Sequence, residues 1–144
     1  MSQIEYFVSV PYSVEQMFHL VNDIDSYAQF LPGCNSIKIF RQNNNELIAE
    51  MSIVTNGIVS SLVTHNFIIN NKSIKIFLIT GPFKSFYGCW KFIPITSSIS
   101  RIEYTSDYEF KSIFIEKIFN LSFKKKYQTI IQSFVARAYA VYGT

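Results

Sequence analysis

Ser122 to Tyr142, SFKKKYQTIIQSFVARAYAVY, is the stretch that decides the fold. At about 100° per residue, Phe123, Tyr127, Ile130, Ile131, Phe134, Ala138 and Val141 fall within one narrow sector, the pattern of an amphipathic helix. No Pro or Gly interrupts the segment before Gly143, which suits a C-terminal cap. Such a helix spans about 30 Å at 1.5 Å per residue, roughly the width of a small domain. The body before it reads almost entirely as β-strand. A sheet that buries so long a stripe has to curve around it, and a curved sheet gripping one helix encloses space. Binding is therefore expected before catalysis.

Working outward, Gln3 to Val10 alternates Ile4, Tyr6, Val8 and Val10 against Gln3, Glu5, Phe7 and Ser9, as a half-buried strand does. Pro11 ends it. Ser13 and Gln16 form a capping box for a helix with Val14, Met17, Phe18 and Val21 as its apolar face. Ile24 to Phe30 is a second short helix or turn, closed by Leu31-Pro32-Gly33. From Cys34 the pattern is strand and turn: Ile37 and Ile39 lead to the polar turn Gln42-Asn43-Asn44-Asn45, and strands follow at Glu46 to Val54, Ile58 to Ile69, Ser73 to Thr80 and Tyr87 to Ile93. Asn56-Gly57 is a hairpin signal, and Gly81-Pro82-Phe83 interrupts the pattern. Between Arg101 and Phe110 the alternation is clearest, with Ile102, Tyr104, Ser106, Tyr108 and Phe110 on one face and charged or hydroxyl residues on the other. That is an antiparallel sheet with one wet and one covered side.

Phe114, Ile118 and Leu121 project almost opposite to the later helical stripe. A kink or break is expected at Asn120 to Ser122, leaving Ser112 to Phe119 as a separate turn or short helix. Those apolar residues either pack under the loops, as apolar residues usually do, or form a lid or partner surface.

The chain of 144 residues is read as one domain, 1–144, with 49% hydrophobic and 17% aromatic residues to fill a core. A net charge of +3 permits contact with RNA or anionic lipid without requiring it. The opening residues lack a basic and apolar targeting pattern, and no run reaches the ~18 apolar residues of a membrane span. Peripheral membrane contact stays open. The cysteines, Cys34 and Cys89, belong to no paired metal motif, and a reducing, cytoplasmic setting is expected.

Catalytic and metal patterns are missing from the sequence. Neither His19 nor His65 has a carboxylate or nucleophile placed beside it, and no Gly-rich phosphate loop, H-E-x-x-H or G-x-S-x-G occurs. Asp23 and Asp25 fit a helix start better than a shared proton. Cys34, following Gly33, is either a reactive thiol or, more commonly, an inert small residue. No catalytic residue, no metal site and no required cofactor are expected. Lys84 and Lys91 flank the Gly-Pro-Phe turn, and Lys124, Lys125 and Lys126 begin the helix. They either rim one end of the sheet and meet phosphates or solvate an ordinary surface.

Val10-Pro11-Tyr12-Ser13, Glu15-Gln16-Met17-Phe18, Leu20-Val21-Asn22-Asp23 and Phe30-Leu31-Pro32-Gly33-Cys34 resemble the opening of a START-like family. That family, in the polyketide cyclase superfamily, holds the ribosome-association toxins and the mitochondrial coenzyme Q-binding proteins. Gly81-Pro82-Phe83-Lys84 with Gly88, Trp90, Lys91 and Phe92 matches its middle, and Arg101-Ile102-Glu103 with Phe134, Arg137, Ala138, Val141 and Tyr142 its end. Ala28 departs from the pattern, where Pro is expected. The resemblance implies an α+β helix-grip fold of the START/Bet v1-like kind, a curved antiparallel sheet around a long C-terminal helix with an apolar cavity between.

Two roles come with it. One is association with the large (50S) ribosomal subunit, through its RNA or protein, inhibiting subunit joining and translation, in a toxin–antitoxin setting with an antitoxin as a further partner. The other is binding of ubiquinone or another polyprenyl lipid in support of respiration. For the cavity the expected residues are Phe30, Leu31, Phe83, Trp90, Tyr104, Tyr108, Phe119, Tyr127 and Phe134. For the ribosome they are Lys84, Lys91, Lys124, Lys125 and Lys126. A cyclase-type enzyme on the same fold is a weaker third class, since it needs an acid–base group such as a cavity-facing His65.

Overall fold

A computed structural model of the chain describes residues 2–55 and 57–143, with the side chains of residues 2, 55 and 118–127 outside the description. Strand β1 (Ser2–Val10) leads into α1 (Val14–Asn22), a 3-10 turn (Ile24–Ser26) and α2 (Tyr27–Phe30). Six strands follow: β2 (Cys34–Gln42), β3 (Glu46–Thr55), β4 (Ile58–Ile69), β5 (Ser73–Thr80), β6 (Phe83–Pro94) and β7 (Ser100–Phe110). Helix α3 (Ile113–Tyr142) closes the series. The strands form one 7-stranded antiparallel sheet in the order β1-β7-β6-β5-β4-β3-β2. This is the α+β arrangement expected from the C-terminal helix.

Local chemistry explains the boundaries. The Ser13 hydroxyl accepts from the Gln16 backbone N–H at 3.1 Å, and the Gln16 side chain accepts from the Ser13 N–H at 3.0 Å. That reciprocal pair satisfies donors the helix start would otherwise leave bare. Ser112 caps α3 with a single such bond, accepting from the Ile115 N–H at 3.2 Å. At the other end Gly143 has φ +76°, and its N–H donates to the Tyr139 carbonyl at 2.8 Å. In β7 the alternation is carried through: Ile102, Tyr104, Ser106, Tyr108 and Phe110 are buried, while the residues between them are not.

The break expected near Asn120 is absent, and α3 runs unbroken from Ile113 to Tyr142. Asn and Ser keep their backbone N–H in the helix ladder, unlike Pro, so a change in apolar phase does not interrupt it. Phe114 does not pack under the loops either; it is 77% exposed. The far end of the stripe also shifts, since Val141 is 51% exposed whereas Tyr142 packs against the core. Strand β6 begins at Phe83 rather than Tyr87, because a register shift between Phe83 and Ser85 absorbs the Gly-Pro turn. Similar shifts lie in β2 and in β5, where Ile79 is the extra residue opposite β4. Each bends its strand, which makes the inner face of the sheet concave.

Candidate functional site

The concave face holds two apolar clusters. The larger surrounds Trp90, Tyr104, Ile131, Phe134 and Ala138 together with the apolar sides of α1 and α2. The smaller consists of Phe83, Phe86, Tyr108 and Phe110, with Ile115 of α3 packed against it. Between them lies a cavity of ≈ 190 Å³. The inner positions of β3 to β7 form its floor, Ile130 and Phe134 of α3 its roof, and Leu31, Pro32 and Gly33 part of one wall.

Phe134 is the hub. Its ring meets Tyr27 at 5.2 Å, Phe30 at 5.3 Å and Trp90 at 5.2 Å, each nearly edge-on. Tyr27 is held further by donating its phenolic O–H to the Val21 carbonyl. Burial, reinforced by the negative charge of Asp23, drives the Tyr27 phenol far above its ordinary range. Burial also pushes the Cys34 thiol up. Gly88 faces inward on β6, where a Cβ would stand 3.2 Å from Tyr104 Oη. The missing side chain gives the Tyr104 phenol its place. Gly33, at φ +80°, brings its carbonyl to the Val54 N–H at 2.8 Å and fixes the loop against β3.

Leu31, Phe83, Trp90, Tyr104 and Phe134 thus line the cavity. Phe30 and Tyr108 stand outside its wall. The Phe30 ring packs on Phe134 and carries the Arg137 guanidinium 5.2 Å from its centroid. Tyr108, fully buried, packs with Phe83 and Phe110 behind it. Ring size marks a residue for the core without saying which side of a void it takes. Phe119 and Tyr127, with Lys124, Lys125 and Lys126, lie outside the described side chains.

Lys84 and Lys91 are exposed on β6 but do not rim one end of the sheet. They lie seven positions apart along the strand, about 23 Å at 3.3 Å per residue. Between them the outer face carries an aromatic row that the sequence reading missed. His65 stacks on Phe67 at 4.3 Å, Phe67 meets Phe77 at 5.6 Å, and Phe77 meets Tyr87 at 5.0 Å. His65 belongs to this outer row, with Nε2 3.7 Å from Glu46, and does not face the cavity. The wall holds two phenols, Tyr27 and Tyr104, and no described His, Cys, Asp, Glu, Lys or Arg. No cluster of three or more His, Cys, Asp or Glu that could hold a metal occurs among the described residues. Among the described residues no helix is long and apolar enough to cross a membrane.

The polar part of the wall was also missed. Thr64 and Asn66 face inward from β4, each less than a tenth exposed, among Leu47, Ala49, Ile74 and Ile76. Asn66 Oδ1 is buried and accepts no hydrogen bond among the described residues. Both faces of β4 carry apolar residues, so the sequence held no signal for which side Thr64 and Asn66 take.

Comparison with known proteins agrees with this architecture. Residues 10–135 match the family model described as polyketide cyclase/dehydrase and lipid transport. The chain is 41% identical over 143 residues to the ribosome association toxin RatA of Escherichia coli K12, covering 99% of this chain and 90% of that one. A mitochondrial coenzyme Q-binding protein of Xenopus laevis is 24% identical over 147 residues, 98% of this chain and 60% of that one. The crystal structure of the ZhuI aromatase/cyclase from Streptomyces superposes with a TM-score of 0.86 at 11% identity, covering 95% of this chain and 93% of that one; it is a likeness of fold alone. The chain belongs to the polyketide cyclase/dehydrase and lipid-transport family.

Proposed function

We propose that this protein associates with the ribosome in the cytoplasm, binding the large subunit and impeding its joining to the small one, as a binding protein and not an enzyme. The single observation that carries the reading is its 41% identity over 99% of its length to a protein named for ribosome association. The absence of an acid–base pair from the described cavity wall is consistent with it. Lys84 and Lys91 supply exposed cations for phosphate, and the aromatic row between them offers rings on which unpaired bases stack.

The test is a sucrose gradient of purified protein mixed with separated ribosomal subunits at low and moderate salt. Co-sedimentation with the large subunit, weakening as salt rises, and a smaller joined-ribosome peak are expected. Protein that stays at the top of the gradient beside an unchanged peak overturns the reading.

The cavity favours a second role, holding the ring of a quinone or similar lipid. Its ≈ 190 Å³ and apolar walls suit one ring. Drug-sized pockets run about 300–1,000 Å³, so a polyprenyl tail would lie outside. Solvent extraction of the purified protein, read by mass spectrometry, checks this role: a quinone recovered in stoichiometric amount is expected, and an extract free of apolar ligand argues against it.

A further inference from the structure

Strand β4 breaks the rule of its own sheet. Its inner positions are Leu62, Thr64, Asn66 and Ile68, while its outer ones include Phe67 and Ile69, 39% and 55% exposed. The strand turns polar groups inward and large apolar groups out. Asn is disfavoured mid-strand, and its amide oxygen loses water here without gaining a partner. Asn66 is only 7% exposed and makes no side-chain hydrogen bond among the described residues; its Oδ1 is wholly buried. An unpaired buried amide oxygen is a standing cost that Leu or Val at the same place would remove. Local conflict of this kind is expected where a site serves a ligand rather than the fold.

Cross-strand register places the amide. Asn66 pairs with Leu47 on one side and Ile76 on the other, and Ile76 pairs with Gly88. Tyr104 Oη stands over Gly88, so the same row carries a phenol two strands away, about 10 Å at 4.8 Å per strand. All of these residues except Gly88 line the cavity. A dry cavity of about 150 Å³ accepts benzene, so ≈ 190 Å³ accommodates one substituted ring.

We infer that Asn66 is the polar anchor of the cavity, holding by one hydrogen bond the hydroxyl or carbonyl oxygen of a mostly apolar, single-ring ligand. Rotation of the amide about χ2 presents either its oxygen to a hydroxyl or its nitrogen to a carbonyl. This assignment rests on the cavity being a ligand site and is independent of any ribosome contact.

p-Cresol and p-xylene test it, since they share a shape and differ by a hydroxyl in place of a methyl. Their dissociation constants for the full chain would be measured by NMR titration, alongside Asn66→Leu. The expected result is binding of both probes by the unsubstituted protein, with the cresol-to-xylene affinity ratio about three- to tenfold lower in Asn66→Leu, the worth of one hydrogen bond. Without ligand, Asn66→Leu should melt no lower than the parent. Asn66→Val, smaller and β-branched, gives the same reading should leucine overpack the site. A ratio unchanged by substitution, with both probes still bound, overturns the anchor and leaves the cavity reading standing. Failure of the parent protein to bind either probe overturns the cavity reading and the anchor with it. A substituted chain that melts well below the parent shows that Asn66 serves the fold, which also overturns the proposal.

Discussion

Tyr12 Oη donates to the Gly143 carbonyl at 2.7 Å, across 131 positions of sequence. The reciprocal strut is Tyr142, whose hydroxyl donates to the Gln16 carbonyl at 2.9 Å while its ring lies 5.9 Å from that of Tyr12. The last turn of α3 is thereby fastened to the start of α1 by two phenols. Tyr12→Phe keeps the ring and loses one bond. It should cost about 1 kcal/mol and speed amide exchange in the final turn of α3, as read by hydrogen-exchange mass spectrometry. Unchanged exchange there would mean that the strut bears no load.

Phe134 touches three aromatic rings and roofs the cavity. Phe134→Ala should therefore destabilise by about 3–5 kcal/mol, a large part of the ~5–15 kcal/mol expected of a domain. Chemical denaturation measures it. A loss below about 1 kcal/mol would show that the roof collapses to fill the space.

Alkaline pH should unfold the protein through Tyr27. Its ordinary pKa is 10.0, and burial raises it in the folded state. Below that pH the phenol is neutral in both states, so the favourable contribution is intact. Above it the unfolded chain ionises while the folded one does not, and stability falls by about 1.4 kcal/mol per pH unit. Tyr27→Phe should lose the bond to Val21 at neutral pH yet flatten this slope, as thermal melts above pH 10 would report. The same slope in both proteins would assign the alkaline loss to other groups.

Cys34 should behave as an inert thiol. Burial lifts its pKa, which lowers the thiolate fraction at neutral pH. With a disulfide reagent at pH 7 the native protein should react several-fold more slowly than the same protein in denaturant. Equal rates would restore Cys34 as a reactive site.

Phe77 lies between Phe67 and Tyr87 on the outer face and is 41% exposed. Cross-strand pairs contribute about 0.2–1 kcal/mol each, so Phe77→Ala should cost no more than roughly 2 kcal/mol. Co-sedimentation with the large subunit should weaken by more than this loss of stability explains. Binding unaffected by the change would remove the aromatic row from the contact surface.

How much of this was legible beforehand follows from how each element signals itself. In β7 one face is apolar and the other charged, so the sequence alone told the buried side. The capping box at Ser13 and the glycine after Tyr142 were equally plain, because each satisfies specific backbone groups. Strand β4 was opaque. Both of its faces carry apolar residues, so alternation could not choose between them, and register with β3 and β5 sets Asn66 inward. For the same reason Phe30 and Tyr108 were placed on the cavity wall, when contacts between distant strands and helices decide that. Lys84 and Lys91 seemed neighbours around a turn because the start of β6 was read four residues late.

The sheet order has one more consequence, for synthesis. Strands β2 to β6 each pair with the next in sequence, so hairpins form as the chain emerges. The sole sheet neighbour of β1 is β7. The roughly 90 residues between Val10 and its partner Ser100 take about 5–18 s to translate at 5–20 residues per second. Throughout that interval the first strand waits with bare hydrogen-bonding groups on both edges, the stage of biogenesis most in need of a chaperone's cover.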